Sequence, residues 1–123
     1  MTTRKIPQEQ WDPYFNALSN RAHTEHPLVT VTVQSEEAGV EPVAEHAPLR
    51  AIFYEEKGSE GGSLDIEVGD DVTGDRLVQR LNARIIWVEE SAQGEPVALD
   101  IEGVDPSSRA TVKTIVRFES SSR

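Results

Sequence analysis

The sequence predicts an α+β domain, an N-terminal helix packed on a mainly antiparallel, twisted sheet of about six strands. Three observations predict it. Trp11, Phe15, Leu18 and Ala22 fall on one face of a 3.6-residue period near the start. The rest of the chain reads as short alternating or apolar runs separated by turn residues. No helix-length segment separates most of those runs, so parallel crossovers are disfavoured and sequential antiparallel pairing is expected.

Taken in order, a helical segment is expected over about 7–21. Pro7 suits a first helical position, where a missing N–H costs nothing, and Pro13 predicts an irregularity near residue 12. Leu28-Val-Thr-Val-Thr-Val-Gln34 alternates cleanly and gives a first strand over 28–34. Residues 35–48, rich in Glu, Ala and Pro, read as a mobile loop. Strands follow at 49–55 and 64–68, joined by the Gly/Ser-rich 57–63. Residues 69–82 fit either a helical turn or a bent strand. The run 84–90 has apolar side chains on both faces and should sit centrally. Strands at 97–102 and 110–118 complete a single domain over residues 1–123.

The charge is uneven. Of 123 residues, 22 are acidic and 12 basic, a net charge of -10. Residues 36–105 hold 18 acids and 5 bases, a net of -13, whereas residues 106–123 hold 4 bases and 1 acid. Such a surface repels nucleic-acid phosphates and anionic membranes. The basic tail is expected to lie against the acidic body. Without Cys there are no disulfides, thiolate metal sites or thiol nucleophiles. The opening MTTRKIPQEQW lacks the apolar stretch of a secretory leader, and the chain reads as cytoplasmic.

The tetrapeptide LDIE occurs twice, at 64–67 and 99–102. In both copies the acids alternate with apolar residues, the pattern of a sheet with one wet face. A sequential meander would keep the copies two strand spacings apart, about 9–10 Å, too far to share one ion. Lys113 and Arg117 should lie beside Asp100 and Glu102 as cross-strand partners. Asp70, Asp71 and Asp75 with Gly69 and Gly74 suggest a calcium loop, but their spacing fails the alternating-acid pattern. They are candidates for a metal site, and no cofactor is expected. His23 and His26 stand three apart but meet Pro27, and His46 stands alone in a loop. No nucleophile elbow or phosphate-binding loop is present.

Ile6-Pro7-x-Glu9-Gln10-Trp11, Pro48-Leu49-Arg50-x-Ile52, Ile86-Trp87-Val88-Glu89, Leu99-x-Ile101 and Val116-Arg117-Phe118 stand in order along nearly the whole chain. Together they resemble a bacterial family of short, acidic, single-domain proteins known as a domain of unknown function. The resemblance implies a stand-alone cytoplasmic domain and supplies no catalytic residue.

These features favour interaction over catalysis. The leading expectation is an acidic module that docks a basic protein surface, using Trp11, Tyr14, Asp70, Asp71 and Asp75, without direct nucleic-acid or membrane contact. One alternative is a metal-dependent protein or enzyme using the acids from Asp65 to Asp75. Another is an acidic mimic of nucleic acid that inhibits a DNA-binding protein. An exposed edge strand could also pair with a second copy.

Overall fold

The structure is a computed structural model describing residues 2–56, 62–70, 72 and 74–119. The chain runs β1 (Thr2–Lys5), a 3-10 turn (Gln8–Gln10), α1 (Trp11–Glu25), β2 (Leu28–Ser35), β3 (Gly39–Glu56), β4 (Gly62–Asp70), β5 (Gly74–Glu90), β6 (Pro96–Val104) and β7 (Thr111–Phe118).

The twisted sheet expected from the sequence is instead closed into a barrel. All pairings are antiparallel, and β2 through β7 pair in sequence. The last strand then returns to the first, with Val29 opposite Phe118 and Ser35 opposite Val112. Six strands thus close into an up-and-down β-barrel, and β1 adds a seventh beside the end of β5. Strand dominates, so the molecule is a β-barrel carrying one helix rather than a layered α+β fold.

Two long strands make closure possible. β3 pairs with β2 through Pro48 and with β4 from Leu49. β5 pairs with β4 through Ala83 and with β6 from Asn82. Each changes neighbour near its middle, beside a register shift at Leu49/Ala51 and at Ala83/Ile85. Bulges of this kind bend a strand and increase its twist, which turns a sheet back on itself. Gly103 faces Ala83 at the second bend, and a Cβ there would run into the Asn82 carbonyl.

Residues 39–48 are therefore strand, not the expected mobile loop. This half of β3 has only β2 as a neighbour, and a half-strand with a free edge tolerates Pro42. His46 likewise lies in a strand and not in a loop, and its Nδ1 meets the Glu119 carboxylate at 2.8 Å. Residues 74–81, within the stretch ambiguous in sequence, form the half of β5 that pairs with β4 alone.

The barrel interior is filled. Val29, Leu49, Leu64, Ile66, Leu81, Ile86, Leu99, Ile101 and Val116 are all 0–1% exposed. Thr114 is the one buried polar residue among the described positions, and its Oγ1 accepts from Gln79 Nε2 at 3.0 Å. A six-stranded barrel is too narrow to hold more than its own side chains.

Pro13 lies within the first turn of α1, where backbone N–H groups have no helical partner. The irregularity falls just before Trp11, as the 3-10 turn. α1 then continues to Glu25 and ends at His26, whose φ of 49° is left-handed and whose N–H meets the Ala22 carbonyl at 2.9 Å. Its Trp11, Phe15, Leu18 and Ala22 are buried, and the helix packs on β3. Ser19 Oγ accepts from the Ile52 N–H at 3.0 Å and donates to the Ile52 carbonyl at 3.1 Å. The helix thereby satisfies the edge of β3 that no strand covers.

Candidate functional site

In an up-and-down barrel, alternate connections share an end. The β2–β3, β4–β5 and β6–β7 connections gather at the end away from α1, and side chains shape each of them. Ser35 Oγ accepts the Ala38 N–H at 3.1 Å, with Gly39 at φ 75° behind it. Asp70 Oδ1 accepts the Val72 N–H at 3.0 Å, and Asp70 pairs with Gly74. Asp105 Oδ1 accepts from Ser107 and Ser108 at 2.8 and 3.0 Å. Those two backbone donors hold the Asp105 carboxyl below the usual carboxylate range.

The segments at this end carry exposed apolar residues and an excess of acids. Val40 is 59%, Val72 92% and Leu77 46% exposed. The acids are Glu36, Glu37, Glu41, Asp70, Asp75 and Asp105, against Arg50, Arg76 and Arg109. Six carboxylates against three guanidiniums leave a net of -3. Arg50 Nε meets Asp75 Oδ1 at 3.3 Å. A half-open groove of about 320 Å³ runs between the β2–β3 turn and β7, lined in part by Glu36, Val40, Glu102, Val112 and Lys113.

The residues singled out from sequence do not form one surface. Asp70 and Asp75 lie at the barrel end just described, and Asp71 lies outside the described residues. Trp11 is 1% exposed, donates its indole N–H to the Ile6 carbonyl at 2.9 Å and meets Tyr54 edge-on at 5.4 Å. It is core and offers nothing to a partner. Tyr14 is half-buried on α1, and burial pushes its phenol up to about 12. Both sit on the helix, remote from the acidic turns. Sequence reasoning passed over Val40, Val72 and Leu77. An apolar residue in or beside a turn, or on a half-strand paired on one side only, carries no periodic signal that separates exposed from buried.

The LDIE acids are wall residues. Asp65 takes a bidentate contact from Arg80 at 2.8 and 2.9 Å. Lys113 Nζ lies 3.7 Å from Asp100 and 4.0 Å from Glu102. Arg117 stands opposite Ala98 instead. The two copies are also farther apart than a simple meander implies. Asp65 faces Arg80 and Asp100 faces Trp87, seven residues along β5, or about 23 Å. Asp100 sits between Trp87 and Ile115, and burial, opposed by Lys113, holds its carboxyl above its ordinary range. Among the described residues no group of three His, Asp or Glu could hold a metal ion.

The chain belongs to the family of unknown function DUF5335, whose family model matches residues 2–122. The match takes in all seven strands and the helix, so the barrel and its helical cover are the DUF5335 unit. No curated protein and no solved structure matches the chain. Among the described residues of this DUF5335 chain, no helix is long and apolar enough to cross a membrane.

Proposed function

We propose that this DUF5335 protein is an acidic protein-binding module, and that it docks a basic protein surface with the barrel end remote from α1. One observation carries the reading: exposed Val40, Val72 and Leu77 lie on or close to turns at this end, and the segments there carry six carboxylates against three guanidiniums, a net of -3. Apolar anchors supply affinity on desolvation, and an uncompensated charged rim gives steering and partner choice. The filled interior favours the same reading, because it moves recognition to the outside of the barrel. The proposal keeps the bacterial, cytoplasmic setting expected from sequence.

Amide NMR shifts test it, with two nonapeptides as probes, one of alternating Lys and Val and the other all Lys. The alternating peptide should bind more tightly, shifting residues 36–41, 70–77 and 105–109. It should weaken severalfold between about 50 and about 300 mM salt. Charge reversal at Asp70 and Asp75 to Lys should abolish both responses. Shifts scattered over the whole wall, or equal affinity for the two peptides, would refute the reading.

A further inference from the structure

We propose that the cleft beneath the C-terminal end of α1 binds a small organic cation with an apolar body. This site lies at the opposite end of the barrel from the proposed docking surface and does not depend on it.

The cleft forms where α1 leaves the barrel wall, between the helix, the β5–β6 turn and the ends of β2 and β7. It encloses about 570 Å³, within the usual range for small-molecule sites. Its floor is apolar, made by Leu18, Ala22, Leu28, Val97 and Phe118. Leu18 and Ala22 are buried, whereas Leu28, Val97 and Phe118 are only half-buried and have apolar surface left to cover. An apolar group placed there removes that surface from water.

The rim sets the charge of the ligand. It carries Glu25, Glu95 and Glu119 against Arg21, a net of -2 with His26 neutral. Arg21 Nη2 is already engaged by Glu25 at 3.3 Å and Glu95 at 3.8 Å, so it is poorly placed to receive an anion. Glu119 meets His46. The second contribution is the helix itself. Ala22, Glu25 and His26 place the C-terminal end of α1 at the cleft, and that end of a helix carries partial negative charge. Carboxylates and helix end act in the same direction, toward an ammonium or guanidinium head above an apolar body. An incoming cation competes with Arg21 for Glu25 and Glu95, both more than half exposed. Ion pairs this exposed are weak, so the exchange is cheap.

Three probes of equal chain length separate the contributions: hexylammonium, hexanol and hexanoate, each titrated into the ¹⁵N-labelled full chain. Hexylammonium should give saturable shifts at Leu18, Ala22, Leu28, Val97 and Phe118. It should bind about threefold to tenfold more tightly than hexanol, with hexanoate weakest. Glu95→Lys, at an exposed position on the rim, should lower hexylammonium affinity to that of hexanol while leaving hexanol binding and the Tm unchanged. The proposal is overturned by any of three results. These are absence of saturation with hexylammonium, hexanoate binding as tightly as hexylammonium, or an equal loss of both hexylammonium and hexanol in Glu95→Lys.

Discussion

Ser19 is the place where helix and barrel can be separated by removing one atom. Its hydroxyl occupies both the N–H and the C=O of Ile52, a residue 1% exposed. In Ser19→Ala both backbone groups lose their partner at a site the methyl still covers. Each such loss costs about 1.5 kcal/mol, within the range for a buried group left unpaired. Ala is the better helix former by about 0.5 kcal/mol, which offsets part of that. The net destabilisation is then about 2.5 kcal/mol. For 123 residues, at about 2.1 cal/mol/K of unfolding entropy each, this lowers Tm by about 10 °C. The assay is thermal unfolding by circular dichroism, with Asn20→Ala as control on the exposed face of the same helix. That control gains propensity without losing a buried bond, so its Tm should hold or rise slightly. A drop of less than about 3 °C in Ser19→Ala would mean that water reaches Ile52 and that α1 does not complete the sheet.

Leu64→Ala, fully buried in the barrel, should cost about 3 kcal/mol by urea unfolding with an unchanged m-value. Gly103→Val should cost at least that much, because the added Cβ meets strand backbone where β5 changes neighbour. Tyr54 has a buried hydroxyl with no partner among the described residues, so Tyr54→Phe should leave Tm unchanged or higher. That variant keeps Tyr14 as its only tyrosine, and absorbance titration should place its midpoint at about 12. Asp100 is held high chiefly by burial, so between its unfolded and folded values the native state binds more protons and stability falls as pH rises. Asp100→Asn removes that fall, so its Tm should gain on the parent's as the pH rises through and above the ordinary carboxylate range.

What the sequence showed follows from how many neighbours each segment has. The stripe Trp11, Phe15, Leu18, Ala22 and the alternation at 28–34 were legible because one face is buried and the other wet. The antiparallel order was legible because the connections are short. Residues 39–48 and 74–81 were not, because each pairs on one side only and tolerates Pro42, His46, Arg76 and Arg80. Closure was hidden for a different reason. It rests on β2 meeting β7, a pairing between residues 77 to 89 positions apart that leaves no local trace, and on register shifts that no period detects. Of the candidate site, Asp70 and Asp75 could be read as an acidic turn. The neighbouring turns join them only through the three-dimensional alternation of the strands. Trp11 misled because an aromatic stripe has one signature whether it docks on its own sheet or on another protein.

The seam between β2 and β7 also fixes an order of events during synthesis. Every other strand pair within the barrel joins neighbours in the chain and can form as soon as the second strand has left the ribosome. The seam must wait until residues 111–118 emerge. Until then the nascent barrel is an open sheet with two unsatisfied edges, the species most prone to pair with another chain. By that stage the excess of carboxylates between residues 36 and 105 is already in place. Like charge keeps nascent copies apart during that interval. The same acidity that would select a basic partner for the finished barrel also protects the unfinished one.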